Sequence, residues 1–311
     1  MIIFHNRQNR LRVVWRMIIY LLLGAIVFLP FIPILKILPL DSGEIDIASS
    51  VNLVFVLFLN VSFVLAAWIT LKWVDRKPTS LLGLNFWPSS VKEFLIGVGI
   101  GLSNFALVLL VLLALGWISV EWAGFIIYDI RTCLFYVATF FVFAAIEEII
   151  NRGYLFQTFC EGVGVLPAAL IISLVFSLVH VFNPDFSILA GIFLFIHGLL
   201  YSVAYLKTRS LWTPIGLHMA WNLSQGPIAG MKVSGTPIES SFFISKIKGP
   251  DILTGGNFGV EGGLIAIIIS AFILLVILKL RWLKPSERFM TIVKDTGGNL
   301  QPAGRHPHLK H

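Results

Sequence analysis

Apolar runs of membrane-spanning length alternate with short polar segments along almost the whole chain. A helix needs about 20 mostly apolar residues to cross the hydrocarbon core of a bilayer. By that criterion the pattern predicts about eight spanning helices, and these lie near residues 13–35, 51–71, 94–118, 131–150, 166–182, 186–206, 212–230 and 262–280. The predicted fold class is therefore all-α, a polytopic integral membrane protein.

Two polar segments between these runs have a character of their own. The connector from Pro78 to Pro88 is amphipathic and carries Phe86 and Trp87, so we expect it to lie in the membrane interface. The stretch Lys232–Gly263 is the longest without a predicted span, and its last part, Thr254–Gly263, is rich in glycines that permit tight turns. We expect an ordered loop near the outer membrane face. Whether it is a lid or a plain connection stays open.

The composition agrees with a membrane protein. The 311 residues are 57% hydrophobic and 13% charged, whereas a soluble domain averages about 25% charged residues. The net charge is +7, and the basic residues lie mostly at the ends of apolar runs. At those positions they act as topology signals and contact lipid headgroups. We therefore predict membrane lipids as partners and no nucleic acid.

Basic connections alternate with acidic or mixed ones, as the positive-inside rule requires when both termini are cytoplasmic. This pattern predicts a multi-pass protein of the cell membrane with cytoplasmic termini. The basic connections carry Arg7, Arg10, Arg12, Lys72, Arg76, Lys77, Lys92, Lys207, Arg209, Lys279, Arg281, Lys284 and Arg288, and the others carry Asp41, Glu44, Asp46, Glu121 and Asp129.

Some conspicuous residues are better explained by packing than by chemistry. Gly97 and Gly101 lie inside a predicted span, with no strand before them, so a small-xxx-small helix contact is favoured over a nucleotide-binding loop. His197 stands alone in an apolar helix. We expect it to be a hydrogen-bonding residue of the core.

Two adjacent carboxylates, Glu147 and Glu148, lie near the end of an apolar run and are followed by Arg152. Ionisable side chains at membrane depth are costly, so a functional or ion-pairing role is expected. Glu148 and Arg152 are four residues apart and can form an ion pair on one helix face. Glu147 points about 100° away from Glu148. One neutralised and one available carboxylate are therefore predicted.

Further polar residues occur in two later apolar runs. His180 follows Phe176 by one helical turn, and His218 and Asn222 are four apart, so that both can point at one spot. Three polar clusters on three hydrophobic segments suggest a reaction centre within the bilayer.

These residue types suit water-driven hydrolysis of an amide. A carboxylate in a low-dielectric pocket is a suitable general base, so Glu147 could take a proton from a water that His180 also orients. His218 and Asn222 are suitable donors to the negative charge that develops on the attacked carbonyl oxygen.

A metal-assisted mechanism is the alternative. Glu147, His180 and His218 could hold a catalytic divalent ion such as zinc, because two histidines and a carboxylate with an open position form a common catalytic zinc site. The His-Glu-x-x-His spacing is absent, and Asn222 is a poor zinc ligand. We favour the metal-free mechanism, and the metal question stays open. A third interpretation is that these polar groups only hold the helices together. It requires that three polar clusters occur by coincidence.

At these residues the chain resembles the CPBP family, also called Abi, whose members are intramembrane proteases named for CAAX processing and bacteriocin processing. Its pattern is Glu-Glu-x-x-x-Arg, then Phe-x-x-x-His, then His-x-x-x-Asn. All three occur here in that order, at residues 147–152, 176–180 and 218–222. The resemblance covers roughly residues 130–262, and Thr213–Gly216 and the glycine-rich stretch also look like bacterial members.

The resemblance implies eight helices around a central catalytic cavity. It implies that Glu147 and His180 activate water, that His218 and Asn222 stabilise the oxyanion, and that two further residues, Glu148 and Arg152, support them. The family includes proteins described as metalloproteases and others described as glutamate-dependent, so it does not decide the metal question.

The same comparison suggests three parts of the chain. Residues 1–130 would hold the N-terminal helices (three spans) and the interfacial connector, residues 131–262 the catalytic core, and residues 263–311 the last spanning helix and a disordered cytoplasmic tail.

The leading hypothesis is an intramembrane endopeptidase that cleaves a membrane-associated peptide or protein. Prenylated, CAAX-type substrates are included, but for a bacterial protein they are not the default. The alternative is a non-catalytic membrane scaffold or a binding protein of the bacteriocin-immunity type. The sequence predicts neither the substrate nor the oligomeric state.

Overall fold

Helices make up most of the computed structural model, which describes residues 11–37, 47–124 and 130–285. Two short strands, β1 (Ile118–Trp122) and β2 (Phe243–Ile247), are present as well. The α-helices of the described residues are α1 (Val13–Phe28), α2 (Phe31–Ile37), α3 (Ile47–Ile69), α4 (Pro88–Ala114), α5 (Ile130–Glu148), α6 (Phe156–Val163), α7 (Val165–Val179), α8 (Ile188–Thr208), α9 (Trp212–Leu223), α10 (Asp251–Thr254) and α11 (Leu264–Lys279).

The outer surface of the helix bundle is apolar. Leu21, Leu110, Leu174 and Phe272 are each more than half exposed, and a soluble protein rarely exposes apolar surface on this scale. Within the described residues, six helical segments are long and apolar enough to cross a membrane, and they are Val13–Ile34, Val54–Val74, Pro88–Ala114, Ile130–Val163, Val165–Phe182 and Ile188–Thr208. The chain is therefore a helical, multi-pass membrane protein.

The predicted count of eight spans is not confirmed. The predicted spans 212–230 and 262–280 correspond to α9, with 12 residues, and α11, with 16 residues. At about 1.5 Å per residue these helices measure roughly 18 and 24 Å, less than the hydrocarbon thickness of about 30 Å. In α9 the regular helix stops at Leu223, and a π-helical turn (Ser224–Ile228) containing Pro227 follows.

The fourth span differs from its prediction in length. It was expected to end at residue 150, but a π-helical turn, Ile149–Leu155, joins α5 to α6 and the helical segment continues to Val163. Gly164, with φ of 88°, then ends it before α7. A π-turn adds a residue to a helical turn and is often found at functional sites. The first motif lies across this turn, inside a long helix.

Helices α4 and α9 approach each other closely at three glycines. Gly97 and Gly101 of α4 lie against the α9 backbone, where an added Cβ would meet the carbonyl oxygens of Thr213 and Leu217. In return, Gly216 of α9 faces the carbonyl of Phe94. The small-xxx-small prediction is confirmed, because these glycines have no side chains and so allow the two backbones to come into contact.

An ion cluster ties the N-terminal helices to the rest of the bundle. Arg16 of α1 is buried and lies 2.6 Å from Asp75, which follows the second span, and 2.7 Å from Glu161 of α6. Lys77 also contacts Glu161. Two cations and two carboxylates thus balance one another where three segments of the chain meet.

A small antiparallel sheet was not predicted. Strand β1 pairs with β2 from Ile118↔Ile247 to Trp122↔Phe243. The glycine-rich stretch that follows β2 forms α10 and two 3-10 turns, Gly256–Phe258 and Val260–Gly262, so the expected loop is ordered. The division of the chain at residues 130 and 262 stays a prediction.

Several predictions fall on residues that lie outside the described ranges. They concern the first basic residues, the acidic segment after the first span, one further acidic residue and the tail, namely Arg7, Arg10, Asp41, Glu44, Asp46, Asp129 and residues 286–311.

Replacing Gly97 with valine should destabilise the protein, because the new side chain would enter the α9 backbone. Overpacking of this kind costs about 1–3 kcal/mol or more of unfolding free energy. Gly99 is the matched control, since an added Cβ there meets no atom within 4 Å. The melting temperature of each purified variant in detergent measures the effect. Equal values for Gly97→Val and Gly99→Val would refute the close α4–α9 contact.

Candidate active site

The three sequence motifs meet at the ring of Phe176, which is fully buried on α7. The guanidinium carbon of Arg152 lies 5.0 Å from the ring centroid. The rings of His180 and His218 have their centroids 5.0 and 6.0 Å from the same point. Residues of the first, second and third motifs are therefore packed around one aromatic side chain, as a common reaction centre requires.

The predicted ion pair between Glu148 and Arg152 is present. Arg152 Nη1 donates to Glu148 Oε1 at 2.9 Å, and neither side chain is exposed. Arg152 Nη2 donates to the carbonyl of Gly198 at 2.8 Å, and the guanidinium lies between the rings of Phe176 and Tyr201. The pair was expected at a helix end. It lies instead within the continuous Ile130–Val163 segment, where the buried guanidinium has three kinds of protein partner.

His218 connects this pair to the available carboxylate. Its Nδ1 lies 3.2 Å from Glu148 Oε1. A carboxylate can only accept, so Nδ1 carries the hydrogen of this bond. The ring stacks on Tyr201 with centroids 4.8 Å apart and planes at 19°. Its Nε2 lies 4.0 Å from Glu147 Oε2. Sequence spacing gave Glu148 a single partner, whereas the structure gives it two.

Glu147 differs from its neighbour in exposure. Its side chain is 25% exposed, against 0% for Glu148. The two glutamates therefore point to different environments, as the turn of the helix predicted.

The second imidazole, His180, donates to a different kind of acceptor. It is half-buried at the end of α7, and its Nδ1 lies 2.7 Å from the carbonyl oxygen of Phe176. A carbonyl oxygen can only accept, so Nδ1 carries the hydrogen and Nε2 presents a lone pair when the ring is neutral.

Asn222 is half-buried and lies one helical turn after His218 on α9. Within the described residues it makes no hydrogen bond with the other motif side chains. The common direction of His218 and Asn222 follows from their spacing on a regular helix.

A polar network behind His218 was only partly foreseen. His197 is buried, with Nδ1 3.1 Å from the Tyr201 hydroxyl and Nε2 3.0 Å from Ser270 Oγ, and Asn104 donates to Ser270. The prediction that His197 is a hydrogen-bonding core residue is confirmed. Tyr201, which stacks on His218, was missed. Its position four residues after His197, on the same helix face, was the available signal.

The metal hypothesis requires Glu147, His180 and His218 around one ion. Among the residues that the structure describes, no group of three or more His, Cys, Asp or Glu side chains is arranged to hold a metal. His218 directs Nδ1 to Glu148, and its Nε2 is 4.0 Å from Glu147. The metal-assisted mechanism stays a prediction, because both histidines donate through Nδ1 and keep Nε2 available. No step proposed below depends on a metal ion.

Residues 129–224 match the family described as type II CAAX prenyl endopeptidase Rce1-like. All three motifs lie within the matched segment, which extends from α5 to the end of α9. A comparison with curated proteins found no match to the chain.

Replacing Arg152 with alanine should strongly destabilise the fold, because it leaves Glu148 charged and buried without its cation. Breaking such a pair typically costs about 3–5 kcal/mol. Arg131, an exposed arginine at the start of the same helical segment, provides the control variant Arg131→Ala. Thermal unfolding in detergent should show a large loss for Arg152→Ala alone. A similar small loss for both variants would contradict a structural role for the pair.

Proposed function

We propose, from the membership of this chain in the CPBP family of CAAX proteases through residues 129–224, that it is an intramembrane endopeptidase. Its substrate would be a membrane-associated peptide or protein, cleaved near its C-terminus or within the bilayer. The family implies a protease. The mechanism and the substrate are inferred below from the side chains.

The observation that carries the proposal is that the two histidines donate their Nδ1 hydrogens to acceptors of different charge. His180 gives its Nδ1 hydrogen to a backbone carbonyl, so Nε2 is an acceptor. His218 gives its Nδ1 hydrogen to a carboxylate that already binds a buried arginine. His180 thus has a neutral acceptor, whereas His218 has a negatively charged one beside the predicted oxyanion site. Helices that were only pinned together would not need this asymmetry.

Water activation is assigned to Glu147 and His180. The carboxylate of Glu147 is partly exposed and, within the described part of the chain, has no ion pair closer than 4.0 Å. His180 Nε2 offers a second acceptor. A water held between these two acceptors would lose a proton to Glu147 as it attacks the scissile carbonyl carbon. General base catalysis of this kind contributes about 10²–10⁴-fold to the rate.

Stabilisation of the oxyanion is assigned to His218 and Asn222. Because Nδ1 of His218 is committed to Glu148, the ring can donate through Nε2 when both nitrogens carry hydrogen. The amide of Asn222, one turn further along α9, supplies a second donor. Fixed donors aimed at developing charge are usually a large part of catalysis, since they need no reorganisation during the reaction.

Glu148 and Arg152 support this arrangement without touching the substrate. The ion pair fixes the carboxylate oxygen that receives His218 Nδ1–H. The contacts of Arg152 with Phe176 and Tyr201 hold the rings that border both histidines. The pair thus keeps a hydrogen on His218 Nδ1 and fixes the orientation of the ring.

The orientation in the cell membrane is proposed from the basic end of the bundle. Lys207 Nζ donates to the carbonyls of Leu278 and Leu280, and Leu211 N–H donates to Gly83. These bonds bring three basic connections to one end. By the positive-inside rule this end and both termini would be cytoplasmic. Lipids are the expected surroundings, and a prenylated CAAX-type substrate is one option among membrane peptides.

Replacing Glu147 with glutamine should reduce peptide cleavage by about 10²–10⁴-fold, because the amide cannot take the proton from water. Glu239→Gln, which removes an exposed carboxylate on a loop, should leave cleavage unchanged. Peptidomics of membranes from cells with each variant measures the products. If the Glu147→Gln protein is folded and its products equal those of the wild type, the chain is a non-catalytic scaffold or immunity-type protein.

Activity should survive removal of divalent metals. A purified sample treated with phenanthroline, then analysed for bound elements, should retain cleavage and contain no stoichiometric zinc. A non-chelating phenanthroline isomer controls for effects of the compound on the detergent or the protein. Loss of activity that added zinc restores would instead establish the metal-assisted mechanism.

A further inference from the structure

A second buried glutamate, Glu261, has no part in the mechanism above. It lies in the 3-10 turn Val260–Gly262 of the glycine-rich stretch and is 2% exposed. Its carboxylate accepts three hydrogen bonds, from Trp221 Nε1 at 3.0 Å and from Ser234 N and Oγ at 2.7 and 2.8 Å. A buried carboxylate is costly to retain unless it is well satisfied, so its partners indicate its purpose.

The first partner belongs to the helix that carries the proposed oxyanion donors. Trp221 is fully buried, lies next to Asn222 and is three residues after His218. Its indole packs against the rings of Phe105 and Phe193. The bond from Nε1 to Glu261 therefore fixes a well-packed point of α9.

The second partner leads to the corner that carries His180. The backbone carbonyl of Ser234 accepts a hydrogen bond from Asn183 Nδ2 at 3.0 Å. Asn183 in turn donates its N–H to the carbonyl of His180 at 3.0 Å. Glu261 is thus connected through Ser234 and Asn183 to the first residue of the 3-10 turn His180–Phe182.

The hairpin around Ser234 is shaped to rest on that corner. Ser234 and Gly235 have φ values of 48° and 83°, the positive pair of a tight primed turn. A Cβ on Gly235 would enter the carbonyl of Pro184. Beside it, Lys232 forms a 3.0 Å ion pair with Asp185. Few side-chain atoms separate the hairpin from the corner, so a shift of one moves the other.

The charge of Glu261 is coupled to the same region. Burial raises the pKa of its carboxyl, and the hydrogen bonds from Trp221 and Ser234 oppose that rise, as does the nearby His180. The pKa of the Glu261 carboxyl therefore depends on contacts with both α9 and the His180 corner.

We propose that Glu261 is a positioning residue that bridges α9 to the His180 corner and so fixes His180 relative to His218 and Asn222. The proposal rests on the proposed function above. It also gives the glycine-rich stretch a role, since its turns place the Glu261 carboxylate between its partners. The bridge has two arms, the bond to Trp221 and the connection through Ser234 to Asn183. Either arm can be removed without changing Glu261 itself.

Two variants cut the arms separately. Trp221→Phe keeps an aromatic ring in the core and removes the Nε1–H donor, and Asn183→Ala releases the corner from Ser234. Misplacement of catalytic groups by about 1 Å can cost about 10²-fold in rate. We therefore expect each variant to lower kcat by about 10–100-fold with little change in KM, since neither residue is placed against the substrate.

The double variant Trp221→Phe/Asn183→Ala distinguishes positioning from a purely structural role. If one bridge is cut twice, the second cut adds little, and kcat of the double variant should match that of the worse single variant. Additive losses, or losses confined to the folded fraction with kcat unchanged, would overturn the proposal. Glu239→Gln is the control, an exposed carboxylate on the same loop.

A distance measurement tests the bridge without any activity. Spin labels at Phe182→Cys and Ile228→Cys, both exposed sites, report the corner and the end of the α9 segment after Cys133 and Cys160 are replaced by serine. Glu261→Gln should broaden the distance distribution, and Glu239→Gln should not. Unchanged distributions would refute the bridge. A wild type without Glu147-dependent cleavage would contradict the proposed function, and the distances would still decide on the bridge.

Discussion

The buried ion pair between Glu148 and Arg152 constrains the rest of the site. Two ions without solvent exposure are stable only if attraction and additional hydrogen bonds repay their lost hydration. Here the Gly198 carbonyl, two aromatic faces and the His218 ring supply those partners. Because these partners lie on α7, α8 and α9, the contacts of the pair fix where the three helices meet.

That constraint also separates the roles of two chemically identical side chains. His218 donates a hydrogen bond to the carboxylate of the ion pair and stacks on Tyr201, whereas His180 donates to a backbone carbonyl of its own helix. In both rings the acceptor keeps the hydrogen on Nδ1, but only His218 has a negatively charged acceptor. The difference between the two rings is therefore the charge beside each of them and not the tautomer.

The sequence predicted what depends on local spacing and missed what depends on tertiary contact. The ion pair at four-residue spacing and the packing of Gly97 and Gly101 were predicted, because one helix determines each face. The bond from His218 to Glu148 joins residues 70 positions apart, and the bonds of Glu261 join residues 27 and 40 positions apart. Tyr201 lies on a different helix from the His218 ring on which it stacks. No periodicity reports such pairs. The roles of the six motif residues stay predictions.

The short helix α9 shows why hydropathy alone does not establish the number of spans. Its residues from Thr213 to Trp221 are all buried, so their apolar side chains face protein and not lipid. A hydropathy window counts both environments alike. A helix enclosed in this way does not need the length that the bilayer imposes on a spanning helix. It can also carry polar groups such as His218 without exposing them to hydrocarbon. The short length of α9 and the proposed reaction centre therefore have one cause: α9 is enclosed by protein.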